Sequence, residues 1–161
     1  MSRAEQAKEY FNQGYACSQA VALAFSDLVN VDKDELIKMT LPFGGGLGRL
    51  RLTCGAVSGM SLIAGLLFSS AENTPENKKR VYEITRELCA KFEEKNGSLI
   101  CHDLLTGANL KVSVGGDAET RTAEYYKKRP CSELVYCATE ILENYLVEQG
   151  KRINPIQKFN I

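Results

Sequence analysis

Residues 52–71 read LTCGAVSGMSLIAGLLFSSA, twenty positions without a charge. That is the length of a membrane-spanning helix, about 20 residues. Only twelve of the twenty are apolar; the rest are Thr53, Gly55, Ser58, Gly59, Ser61, Gly65, Ser69 and Ser70. These weaken its transfer into lipid, and no second candidate follows it. The stretch therefore predicts a central helix, Cys54 to about Ser70, buried on most sides and capped by Thr53. Gly55 and Gly59 share one face, where another helix or a ligand can approach the backbone closely.

Helix signals continue on both sides of this segment. Ser2 caps a helix running to Gln13, with Gly14 as its stop. A second helix runs from Cys17 to Val29, and Asp32 caps a third that Pro42 ends. Phe43 to Arg49 is a glycine-rich loop. Downstream, Thr74 and Pro75 open a helix whose apolar stripe is Val81, Ile84, Leu88 and Phe92, closed by Gly97. A short helix from Ser98 to Leu105 follows. Next comes a loop at Asn109 to Gly116, with a brief extended piece at Leu110 to Val114. Asp117 caps a helix to Lys127, and Pro130 opens the last, with Leu134, Val135, Ala138, Ile141, Leu142 and Tyr145 inward. Strand alternation is scarce. The expected fold is all-α, a compact single-domain bundle of five or six main helices. Residues 1–150 form the domain, and 151–161 a C-terminal tail, loosely docked or free.

The composition fits such a bundle: 161 residues, 44% apolar and 25% charged. Twenty basic and twenty acidic residues give zero formal net charge, which removes a broad reason to expect nucleic acid as partner. The runs Lys78-Lys79-Arg80 and Lys127-Lys128-Arg129 sit beside acidic residues and read as solvated helix faces. Met1 to Glu5 open no apolar run, so no signal peptide is expected, and the expected location is the reducing cytoplasm.

In that compartment six cysteines are conspicuous, because standing disulfides are rare there. No CxxC pair, haem attachment motif or zinc-finger spacing occurs, so any site is assembled by the fold. Cys17, Cys54, Cys101 and Cys131 each fall at the start of an expected helix. The partial positive charge and free N–H groups there favour thiolate, the form that attacks, oxidises and binds metal. Cys89 and Cys137 fall inside helices near the inward stripe and read as core. His102, the one histidine, follows Cys101 directly, and neighbours on a helix do not face each other, so a Cys–His pair there is not expected. Asp103 reads as a first-turn dipole partner. Tyr10, Tyr15, Tyr125 and Tyr126 read as core or rim aromatics. The glycine loop lacks the Gly-Lys-Ser/Thr ending of a nucleotide P-loop, though a small anion at the loop and Thr53 stays open.

Gly14-Tyr15-Ala16-Cys17-Ser18-Gln19-Ala20-Val21, Phe43-Gly44-Gly45-Gly46 and Cys54-Gly55-Ala56-Val57-Ser58-Gly59 together resemble the C_GCAxxG_C_C family. Cys101-His102-Asp103-Leu104-Leu105 and Cys131 with its helix complete the likeness, which spans about residues 5–147. Members are described as redox-active because of their cysteines. The resemblance places the four signature cysteines at Cys17, Cys54, Cys101 and Cys131. The domain is also similar to part of the split-Soret cytochromes, which carry haem and a [2Fe–2S] cluster. Without a haem motif, only the cluster carries over.

Three chemistries remain open. The first is a four-thiolate site holding [2Fe–2S], for electron transfer or redox sensing. Gly44, Gly45, Gly46, Gly55 and Gly59 would bring backbone N–H groups to it, and Arg49 and Arg51 would offset its charge. Zinc on the same four cysteines is a non-redox variant. The second is thiol–disulfide exchange, with Cys54 or Cys17 attacking and another cysteine resolving. The third is a non-catalytic helical module whose cysteines only pack. The sequence names no redox partner, leaves open whether the chain is an enzyme, and is compatible with a homodimer.

Overall fold

The computed structural model describes residues 1–150; the expected tail lies outside the described residues. Within them the chain is helical, with no strand beyond one bridged pair, Thr53 with Ile100. We number the helices α1 (Arg3–Asn12), α2 (Cys17–Leu23), α3 (Lys33–Thr40), α4 (Gly55–Phe68), α5 (Pro75–Asn96), α6 (Cys101–Gly107), α7 (Ala123–Lys128) and α8 (Cys131–Glu148).

The uncharged stretch is the centre, as its composition predicts. α4 packs on α2, α5 and α8, while α1 lies along α8 and α2. Its Ala56, Val57, Met60, Ile63 and Ala64 are buried, and they meet Phe11, Phe25, Leu88, Phe92 and Leu142 in one core. Each large side chain sealed there stabilises the bundle by about 1.5–3 kcal/mol. Among the described residues no helix is long and apolar enough to cross a membrane.

Local chemistry sets the ends. Ser2 and Glu5 form a reciprocal capping box on α1. Thr74 caps α5, and Gly97 leaves it with φ +87°. α2 stops at Leu23 rather than Val29, because Arg3 Nη1 takes the Ala24 carbonyl at 2.6 Å and three-residue turns follow. Arg3 is itself paired with Asp27. α4 is capped not by Thr53 but by Cys54, since Thr53 is drawn into its bridge with Ile100. Pro130 is the residue before α8 rather than its first.

Two segments depart further from expectation. Gly45 to Arg49 all have positive φ, from +54° to +71°, so the glycine loop is a single left-handed turn. Leu47, Arg49 and Arg51 adopt this region without being glycine, which costs each about 1–2 kcal/mol. The turn is tied back by Arg51 N–H to Gly45 C=O (3.2 Å) and Leu52 N–H to Gly46 C=O (2.9 Å). The helix expected from Asp117 begins only at Ala123, capped by Thr122. Residues 108–122 form a strap without regular structure, and Leu110 to Val114 form no strand. Arg51 Nε donates to Ser113 C=O (3.0 Å) and Arg49 Nε to Gly115 C=O (3.0 Å), fastening the strap to the left-handed turn.

Candidate functional site

The turn, the strap and four helix starts enclose one cavity of about 220 Å³. Cys17, Cys54, Cys101 and Cys131 all line it. Cys17, Cys101 and Cys131 are the first residues of α2, α6 and α8, and Cys54 is the cap of α4.

Short-range pairing brings two of them together. Cys54 N–H donates to Leu99 C=O (2.8 Å) and Cys101 N–H to Leu52 C=O (2.6 Å) on either side of the Thr53–Ile100 bridge. This ties the starts of α4 and α6 to each other. Cys17 arrives because α2 lies almost on the backbone of α4. A Cβ on Gly55 would meet Cys17 Cβ at 3.2 Å, and one on Gly59 would meet the Ser18 carbonyl oxygen at 2.6 Å. Only glycine permits this approach. Gly44, Gly45, Gly46 and Gly55 line the cavity, whereas Gly59 lies under Ser18 and serves the helix contact. Gly46 is wedged against Cys101: an added Cβ would come within 2.7 Å of Cys101 Cβ.

The cavity is strongly cationic. Arg49, Arg51, Arg121 and Arg129 face it, against one carboxylate, Glu119. Glu119 pairs with Arg129 and lies 3.7 Å from Arg49 and 3.8 Å from Arg51. Burial works to raise the Glu119 carboxyl, but the Arg129, Arg49 and Arg51 guanidiniums outweigh it and hold the carboxyl below its ordinary value. Arg51 Nη1 lies 3.9 Å from Cys101 Sγ. Arg121 stacks over Phe11, Tyr125 and Tyr126. With neutral thiols the cavity residues carry a net charge of +3, and four thiolates would bring it to −1.

The thiols do not behave alike. Cys131 shares a hydrogen bond with Cys17, which holds the Cys131 thiol down to about 7, helped by Arg129 and Arg121 against burial. Cys17 is pushed well up, by that same hydrogen bond first and by burial. Burial pushes Cys54 up to about 12 despite the N–H groups of Ala56 and Val57, and raises Cys101 against Arg51. The helix-start argument therefore gives position correctly, but burial outweighs the dipole for Cys54 and Cys101, and the shared hydrogen bond with burial does so for Cys17. Added positive charge bound inside would reverse that balance.

Among the described residues, no three His, Cys, Asp or Glu side chains are grouped closely enough to hold a metal ion. A closed tetrahedral zinc site needs four sulfurs, each about 2.3 Å from one point. The thiols instead stand around the cavity wall, with only Cys17 and Cys131 directly paired.

The other candidates fall elsewhere. Thr53 is exposed and outside the cavity, so the loop-and-Thr53 anion site is not assembled. His102 is exposed beside Asp103, which accepts from Ser98 Oγ (3.0 Å). Cys89 and Cys137 are half-buried against the core, and Cys137 faces Asn96 Nδ2 at 3.3 Å. Tyr10 and Tyr15 form an edge-on pair. Tyr125 is a wall residue whose phenol burial pushes up to about 12. Sequence reasoning missed Glu119, Arg121 and Arg129. Their signal was present as charges interleaved with Tyr125 just before Cys131. Only Lys127 and Lys128 of that basic run are solvated, while the Arg129 side chain is 10% exposed.

Comparison with known proteins adds two findings. A family model described as "Putative redox-active protein (C_GCAxxG_C_C)" matches residues 15–145. Among solved structures, a split-Soret cytochrome c from Desulfovibrio desulfuricans ATCC 27774, described as having a novel iron centre, superposes with a TM-score of 0.60. It is 18% identical, and the match covers 98% of this chain and 74% of that one, so it shows a shared fold. No curated protein matches the chain.

Proposed function

We propose, from the premise that the chain belongs to the C_GCAxxG_C_C redox-active family, that Cys17, Cys54, Cys101 and Cys131 hold an iron–sulfur centre. Its composition in this reading is [2Fe–2S], and its role is one-electron transfer or redox sensing in a reducing cytoplasm. The observation that carries the reading is the gathering of all four cysteines on one cavity wall with four arginines. The iron centre described for the split-Soret cytochrome c of like fold supports iron over zinc.

When bound, the group would accept and return one electron; the chain's own residues do the rest. Cys17, Cys54, Cys101 and Cys131, as thiolates, would be its terminal ligands. Arg49, Arg51, Arg121 and Arg129 offset thiolate charge, which favours the reduced state. The glycines of the left-handed turn keep side chains off the cavity wall, and the buried setting limits water. An unidentified redox partner exchanges the electron, and a homodimer remains compatible with the reading.

The direct contact of Cys17 with Cys131 favours a second reading, thiol–disulfide exchange without metal. Purification without oxygen, followed by iron, zinc and acid-labile sulfide counts and a visible spectrum, separates the two. About two irons and two sulfides per chain, lost in Cys54→Ala, are expected. A metal-free chain whose Cys17 and Cys131 oxidise to a disulfide would overturn the metal reading.

A further inference from the structure

The arginines do more than balance thiols. Arg51 is 4% exposed, and its Nη2 is buried without a hydrogen-bond partner, with Glu119 Oε1 at 3.8 Å. Arg121 Nη1 is likewise buried without a hydrogen-bond partner. Both side chains line the same cavity. A buried guanidinium N–H left unpaired costs the full desolvation of a charged donor, so a fold keeps one where something else supplies the acceptor.

Other nitrogens of both groups are committed. Arg51 Nε is spent on Ser113 C=O, and Nη1 faces Cys101 Sγ. Arg121 Nη2 reaches Tyr15 C=O at 3.4 Å, while Phe11 and Tyr125 stack on its plane at 4.5 and 4.7 Å. The stacking holds the guanidinium flat and limits its freedom to turn toward solvent. Glu119, the one carboxylate on the wall, is already shared among three arginines and leaves Arg121 uncompensated. At about 220 Å³ the cavity lies below the size of common drug-like sites, so its occupant is small.

The geometry points to a binding subsite for a small oxyanion, held between Arg51 and Arg121 beside the Cys101 and Cys131 thiols. The chemical class is a carboxylate, phosphate or sulfur oxyanion of a few heavy atoms. An oxygen acceptor for each orphaned N–H is what the two groups lack, and planar forks suit such ions. The subsite rests on the arginines alone and does not require the metal reading. It supplies a place for a small anionic substrate or effector next to the redox-active thiols.

The test is a titration of the full chain as isolated, under reducing conditions and at fixed ionic strength, with inorganic phosphate, sulfate and acetate. Calorimetry and thermal unfolding are the readouts, with chloride as control. Saturable one-to-one binding of at least one oxyanion is expected, weakened at least tenfold in Arg121→Gln. Arg51→Lys, which keeps the charge but loses the fork, is expected to weaken it as well; it also guards against a misfolded Arg121 variant. No saturation, or equal affinity in both variants when their helical circular dichroism matches that of the parent, would overturn the subsite. Iron and sulfide counts on the same samples report on the metal reading separately, so either idea can fail alone.

Discussion

The bundle and the cavity wall follow opposite rules. In the bundle, right-handed helices carry caps, and their apolar faces close on one another: Phe11, Phe92, Leu88 and Leu142 are fully buried. The wall is built from a left-handed turn, an irregular strap and arginines whose buried N–H groups are unpaired. Three non-glycine residues of the turn region sit at positive φ. Such strain persists only where the surrounding structure over-determines it. The bundle is that surrounding structure. It places four helix starts around one cavity, and the wall gives up local stability to keep that cavity.

The sharpest way to break this contrast is Gly46→Ala. At φ +71° an alanine is strained by about 1–2 kcal/mol. Its Cβ would also meet Leu52 N at 2.7 Å and Arg51 C at 2.9 Å, and backbone cannot step aside as a flexible side chain can. Overpacking adds about 1–3 kcal/mol. A total loss of about 2–5 kcal/mol is expected in urea unfolding, together with loss of any bound metal. A neutral result would mean that the turn is not held against Cys101.

The difference between the regions also decides what was legible in the sequence. Bundle elements follow from periodicity and caps, so α1, α5 and the centre of α4 lie where their residues predict. The four cysteines were found because each combines a helix start with a motif match. The wall was not legible, because its conformation answers to distant residues. Asp117 is a sound cap by local rules, yet the strap stays irregular where Glu119 meets Arg49, Arg51 and Arg129. A glycine-rich string announces a loop but not its left-handed course. Nor does helix-start position give pKa, because burial is a property of the assembled fold.

The strap supplies the next test, through pH. The Glu119 carboxyl is held below its ordinary value of 4.5, so its ion pairs stabilise the fold fully above that pH. The contribution is lost as pH falls through the lower, folded value, where the carboxyl takes up a proton. The Glu119 side chain is 40% exposed, so the effect on global stability is small and salt-sensitive. Local opening is the better readout. Amide hydrogen exchange across residues 113–122 should quicken on acidification below about pH 4.5 relative to α4. Glu119→Gln should show the faster exchange already at neutral pH, with little further change on acidification. Equal protection in parent and variant would show that the strap is held by the Arg49 and Arg51 contacts to Ser113 and Gly115 alone.

The smallest effect has the opposite sign and uses the same substitution. Gly65 lies inside α4, and an added Cβ there meets nothing within 4 Å. Its φ is not in the left-handed region, so alanine is unstrained. Glycine in a helix interior costs about 0.5–1 kcal/mol relative to alanine, mostly through the freedom it loses on folding. Gly65→Ala should therefore stabilise the chain by about that amount and leave metal content unchanged. One methyl group would then raise stability in the bundle and lower it at the wall. If Gly65→Ala instead destabilised the protein, that face of α4 would be packed against something, and the division between a plain bundle and a specialised wall would need redrawing there.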